Sequence, residues 1–222
     1  ALHACVQGGE GEQAFTLFEE MKTNGIDVDQ VTYSVLMNEC AKSGNWELAI
    51  ELLAEMQGKG IMPNEITYAT AMNACSKGGQ MDQALFLLSK MQEKGVEPNL
   101  VVYNTLLNAC VELGHPELAV DILEEMLEEG IVPDAISYNT VMKKLANIGD
   151  WEDALSLLEK MWRAGLPQDA GSYDAVLTAC EKADEWERAL SLLEEMKARG
   201  IEPNIGTYNT VMVACGRGGR PD

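Results

Sequence analysis

All six tyrosines of the chain stand 35 residues apart: Tyr33, Tyr68, Tyr103, Tyr138, Tyr173 and Tyr208. Met21, Met56, Met91, Met126, Met161 and Met196 keep the same step, as do Gly25, Gly60, Gly95, Gly130, Gly165 and Gly200. A fourth ladder runs through Ala14, Ala49, Ala84, Ala119, Ala154 and Ala189. Four ladders in one register mean that a single local unit is copied along the chain, each copy leaning on the next.

Within a copy, helical spacing occurs twice. Tyr33, Leu36, Met37 and Cys40 fall at i, i+3, i+4 and i+7, the face of a first helix. Ala49, Leu52, Leu53 and Met56 repeat that pattern for a second. Gly44, Gly79, Gly114 and Gly149 predict a left-handed cap between them, where a Cβ would be strained. Gly60 and its equivalents close the second helix, and Pro63, Pro98, Pro133 and Pro203 prevent its continuation. Neither helix can bury its apolar face alone, so neighbours must supply the core. The predicted fold is all-α, a right-handed α-solenoid of stacked helix-turn-helix repeats with about a dozen helices. Residues 1–222 form one array: a partial repeat 1–29, complete repeats 30–64, 65–99, 100–134, 135–169 and 170–204, and a partial repeat 205–222. Because the array starts and stops inside repeats, it reads as part of a longer one.

The six cysteines, Cys5, Cys40, Cys75, Cys110, Cys180 and Cys215, join the ladder, with Leu145 in the vacant place. Disulfide bonding needs Cα atoms within about 7 Å, whereas equivalent residues on stacked helices stand roughly 8–10 Å apart. There is no Cys-x-x-Cys pair, and His3 and His115 are the only histidines. Reduced, buried thiols are therefore expected, with no metal site and no cofactor. No nucleophile–base constellation or phosphate loop appears, so an enzyme is not expected. No stretch reaches the roughly 18 uncharged apolar residues of a membrane span.

Each repeat reads like Val31-Thr32-Tyr33-Ser34, then Trp46-Glu47-Leu48-Ala49, then Gly60-Ile61-Met62-Pro63-Asn64. A tetratricopeptide unit, with its 34 residues and Trp-x2-Leu-Gly-x2-Tyr opening, fits neither the period nor the phrase. The chain instead resembles the pentatricopeptide-repeat family over essentially its whole length. Tyr-Asn-Thr at Tyr103, Tyr138 and Tyr208 is specific to that family.

The resemblance implies binding of single-stranded RNA, one base per repeat, read by the fifth and last residues of each repeat. Those pairs are Ser34/Asn64, Ala69/Asn99, Asn104/Asp134, Asn139/Asp169 and Asp174/Asn204, with Asn209 opening the next. Asn with Asp resembles the family's uracil pair and Ser with Asn an adenine-favouring pair. Ala69 offers no polar atom, and Asp174/Asn204 matches no familiar combination. The implied core is 5′-A-N-U-U-N-3′. The second residue of each repeat is the base-stacking wedge: Val31, Ile66, Val101 and Ile136 suit that role, whereas Gly171 and Gly206 do not. A chloroplast or mitochondrial address is also implied by the resemblance alone.

Charge bears on both this reading and its rival. The chain carries −20 overall, yet its first-helix segments carry about +2, from Glu39, Glu112, Asp174 and Glu181 against Lys42, Lys77, Lys143, Lys144, Lys182 and Arg217. Lys42, Lys77, Lys182 and Arg217 share one repeat position and form a candidate phosphate rail. The acid belongs to the second helices. Its densest strip, Glu117, Asp121, Glu124, Glu125, Glu128 and Glu129, suggests the alternative of a protein-interaction scaffold with partners on the acidic outer helices. Asn and Asp between helices also have a plain structural use, as turn and N-cap residues.

Overall fold

The computed structural model describes residues 11–218, and these contain twelve α-helices and no strand. In chain order they are α1 (Gly11–Thr23), α2 (Gln30–Ser43), α3 (Trp46–Gly58), α4 (Glu65–Lys77), α5 (Met81–Glu93) and α6 (Leu100–Leu113). Then follow α7 (Pro116–Glu128), α8 (Ala135–Ile148), α9 (Trp151–Arg163), α10 (Ala170–Lys182), α11 (Trp186–Ala198) and α12 (Ile205–Arg217). They gather into two compact halves, one ending at Leu113 and the other beginning at Gly114.

The helix ends follow the repeated sequence. Gly60 has φ +75°, and its N–H reaches the Gln57 carbonyl while Ile61 N–H reaches that of Met56 at 3.0 Å. This paired closure is a Schellman motif, open to glycine because no Cβ opposes a left-handed backbone. The same bonds close on Met91, Met126, Met161 and Met196. At the other turn Gly44, Gly79, Gly114 and Gly149 all have positive φ. In repeat 170–204 that place is taken by Asp184, with φ 58°, the single non-glycine in this region among the described residues. An L-residue there is disfavoured by roughly 1–2 kcal/mol, less for Asp than for bulkier residues. Asp184→Gly should therefore stabilise the protein by about 1 kcal/mol and raise its melting temperature by a few degrees. Thermal unfolding followed by circular dichroism checks this.

Packing runs in two layers. In the first half α2, α4 and α6 stack in succession; in the second half α8, α10 and α12 do so. The second helices pack their backbones against first helices, and meet one another through ion pairs such as Lys22–Glu55 and Lys160–Glu124. The layer of first helices is thus the more closely packed one within each half. Ala49, Ala84, Ala119, Ala154 and Ala189 are fully buried, and their small side chains let second helices approach closely. Met56, Met91, Met126, Met161 and Met196 are fully buried too, as the ladder required, and only Met21 is half-buried. Tyr33 and Tyr173 pass their hydroxyls to Glu55 and Glu195 on the following second helices, at 3.0 and 3.3 Å.

Cys40, Cys75, Cys110 and Cys180 are free and fully buried; Cys215 is free and half-buried, and Cys5 lies outside the described residues. Burial pushes the thiols of Cys40, Cys75 and Cys180 up to about 11 and that of Cys110 up to about 12. Such thiols stay protonated and inert near neutrality. Among the described residues no group of His, Cys, Asp or Glu side chains is arranged to hold a metal ion, and no helix is long and apolar enough to cross a membrane.

Candidate nucleic-acid interface

The last residue of every repeat begins the next first helix as its N-cap. Asp29, Asn64, Asp134, Asp169 and Asn204 each accept the N–H three residues on, that of Thr32, Thr67, Ser137, Ser172 or Thr207. Asn99 accepts from Val101 and Val102. The backbone N–H of Thr32 and that of Ser172, aided by their hydroxyls, hold the Asp29 and Asp169 carboxyls below the usual carboxylate range. The capping duty anticipated for these positions is therefore real. It engages one oxygen of each of these side chains.

The fifth residue stands one turn into the first helix, and in the second half it comes together with the last. In repeat 170–204 the Asn204 amide donates to Asp174 Oδ2 at 3.1 Å. The Thr207 hydroxyl donates to Asp174 Oδ1 at 2.6 Å. In repeat 135–169 the Ser172 hydroxyl lies 3.0 Å from Asn139 Oδ1 and 2.9 Å from Asp169 Oδ1, so that it bridges the pair. The bridging hydroxyl belongs to the third residue of the following repeat. Sequence reasoning passed over this residue, although Asn64–Thr67, Asp134–Ser137 and Asn204–Thr207 carry the spacing of a capping box, which could have revealed it.

Other candidate positions differ. Ser34 turns its hydroxyl onto the Gln30 carbonyl at 2.9 Å, and Ala69 is buried. Asn104 is half-buried on α6, and Asn209 is exposed on α12. The four aliphatic wedges point into solvent: Val31, Ile66, Val101 and Ile136 are each 61–66% exposed. That exposure contrasts with the tyrosines of the same helices, of which Tyr33, Tyr68, Tyr103, Tyr138 and Tyr173 are buried. The equivalent Gly171 and Gly206 offer no surface.

The proposed basic rail is largely occupied by neighbouring groups. Lys42 pairs with Glu39 on its own helix. Lys182 donates to the Asn147 carbonyl at 2.8 Å, so it caps the end of the preceding first helix. Arg217 reaches Glu181 at 3.3 Å. Lys77 is exposed at the end of α4. On α7, Glu117, Asp121, Glu124 and Glu128 share one exposed face, and Glu124 is paired with Lys160 at 2.8 Å.

Two family models match the chain. One, described as the pentacotripeptide-repeat region of PRORP, covers residues 1–167; the other, a pentatricopeptide repeat domain, covers residues 156–218. Among solved structures, the pentatricopeptide repeat protein PPR10 from maize aligns with a TM-score of 0.74 and 34% identity, over 97% of this chain and 31% of that one. PPR10 in complex with an 18-nt psaJ RNA element gives 0.62 and 30%, over 96% of this chain and 34% of that one. The PPR domain of Arabidopsis thaliana protein-only RNase P 1, in complex with tRNA, gives 0.65 over 81% of this chain and 95% of that one; at 18% identity this is a likeness of fold alone. The chain spans about a third of the length of the PPR10 chains it matches. No curated protein sequence matches it.

Proposed function

This chain belongs to the pentatricopeptide-repeat family, and on that premise we propose that it binds single-stranded RNA sequence-selectively, one base to a repeat. The observation that carries the reading is the meeting of fifth and last side chains in repeats 135–169 and 170–204. Two polar groups held on rigid helices, 35 residues from the next such pair, can meet successive base edges of an extended strand. Ile136, open to solvent beside the Asn139/Asp169 pair, supplies an apolar face for the base plane. The proposed core remains 5′-A-N-U-U-N-3′, on a transcript of the chloroplast or mitochondrion. The near-neutral first helices, with Lys42, Lys182 and Arg217 already engaged, favour base contacts over phosphate contacts as the source of affinity.

The test is local. Asn139→Thr should move the preference of repeat 135–169 from uracil towards guanine, by the several-fold change that a base contact of about 1–3 kcal/mol supplies. Competitive binding to two oligonucleotides differing at that one base reads the change. Wild type and variant binding both strands equally would reduce Asn139 and Asp169 to turn residues. A second reading, a protein-interaction scaffold, draws on the exposed acidic face of α7, whose thirteen residues include no basic one. Retention of a stoichiometric protein partner by the full-length protein, with no bound RNA, would favour it.

A further inference from the structure

Repeat 170–204 has no familiar base assignment, but its geometry supplies one. Asn204 Oδ1 accepts the Thr207 N–H at 3.0 Å, which fixes the amide so that its NH2 points at Asp174. The Thr207 hydroxyl accepts the Asn204 N–H at 3.2 Å, so its own proton is directed at Asp174 as well, at 2.6 Å. Thr207 is fully buried, which shields its own bonds from water, while Asn204 stands at the surface. The two side-chain donors of the network thus both end on the Asp174 carboxylate, one on each oxygen. The carboxylate is held rigid, ionised groups being acceptors only, and each oxygen keeps lone-pair capacity for a further donor.

Asp174 also lines a recess of about 430 Å³ between α8 and α10, together with Lys143, Ala146, Asn147, Gly171 and Thr178. That volume lies in the usual range for small-molecule sites. The recess is open where repeat 135–169 has Ile136, because Gly171 has no side chain; a Cβ there would meet only Asp169, at 3.3 Å. Gly171 was read from the sequence as a missing wedge. In the structure it is also added space.

Resting on the RNA reading above, we infer that repeat 170–204 selects guanine, its ring edge N1–H and N2–H donating to the fixed Asp174 carboxylate in the recess over Gly171. Among the four bases guanine alone presents two adjacent donors. Adenine and cytosine present one donor beside an acceptor, and uracil flanks its single N–H with two carbonyl oxygens, which a carboxylate repels. Lys143, exposed at the mouth of the recess, complements the O6 or phosphate of the same nucleotide.

The experiment uses the whole chain and four oligonucleotides carrying the core, differing only at the base opposite repeat 170–204. Wild type should prefer guanine by about tenfold, the discrimination of a good bidentate contact. Asp174→Asn, which replaces one acceptor by a donor, should bring that ratio close to one. Asp174→Ser, which gives this repeat the Ser/Asn pair of repeat 30–64, should abolish the guanine preference and move it towards adenine. Unchanged melting curves for both variants show that the fold is kept. RNA binding without a guanine preference, or with a preference that survives both substitutions, overturns this assignment and leaves the general RNA reading standing. Guanosine monophosphate is the second probe. If it binds and no RNA does, with loss of binding in Asp174→Asn, the guanine site stands and the RNA reading falls. If neither binds, both fall.

Discussion

Met161→Ala should lower the free energy of unfolding by about 2–5 kcal/mol. Met161 is fully buried, its carbonyl closes the second-helix cap through Leu166 N–H at 3.1 Å, and its sulfur lies 4.0 Å from the Ser172 hydroxyl. The side chain therefore fills the space between α9 and the start of α10, and truncation leaves a cavity that backbone on both sides prevents from collapsing. Since each repeat is stabilised by its neighbours, the loss will not stay within one repeat. Urea unfolding of wild type and variant, with the slope compared as well as the midpoint, measures it. An effect below about 1 kcal/mol would mean that the ladder tolerates voids, contrary to close packing.

Alkaline pH should be as damaging as a core truncation. The thiols of Cys40, Cys75 and Cys180 are pushed up to about 11 and that of Cys110 up to about 12, whereas an unfolded cysteine titrates near 8.5. The sign follows directly. Below about pH 8.5 both states hold the proton and these groups leave stability unchanged. Above it the unfolded chain releases protons that the folded chain retains, so stability falls as pH rises towards the folded values. Each thiol adds a slope of up to about 1.4 kcal/mol per pH unit in this window. Buried tyrosines add to the loss at higher pH; burial pushes the Tyr173 hydroxyl up to about 12. Urea midpoints should thus drop steeply between about pH 9 and 11, and Cys180→Ala should make the drop shallower. A midpoint independent of pH across this range would show that the thiols ionise in place.

How much of this was legible in the sequence depends on the kind of fact. Periodic identities report burial and backbone, because the same packing problem recurs at each repeat. Tyr33, Ala49, Met56 and Gly60 thus forecast their own environments, and the left-handed turns at Gly44 and Gly149 follow from the residue type. Partnerships between repeats were not legible. Lys42, Lys77, Lys182 and Arg217 share a position in the sequence, yet Lys42, Lys182 and Arg217 settle on whatever acid or carbonyl lies nearby, and those neighbours vary from repeat to repeat. The site residues were legible as a register and only partly as a geometry. That Asn139 and Asp169 belong together followed from the resemblance. That a hydroxyl from the next helix, Ser172, stands between them required coordinates. Asp184 was hidden for a similar reason: aspartate adopts many backbone conformations, and only its place among glycines hints at the one it takes.

The cap formed by the last residue of each repeat sets the terms on which such an array could be rewritten. Asn204 and Asp169 each start a helix with the same side chain that, on the proposed reading, meets a base. An exchange of Asn for Asp keeps the capping oxygen, at little structural cost where no acid stands beside it; at Asn204 it would replace the amide donor with a second carboxylate against Asp174. Replacement by a residue without a side-chain acceptor removes about 1 kcal/mol of helix initiation at that joint. Retargeting by several such replacements would accumulate these losses along the array until the protein melted before its specificity changed. The usable vocabulary at this position is therefore narrowed by folding before RNA is involved, and the fifth residue, free of that duty, is where variety can be stored.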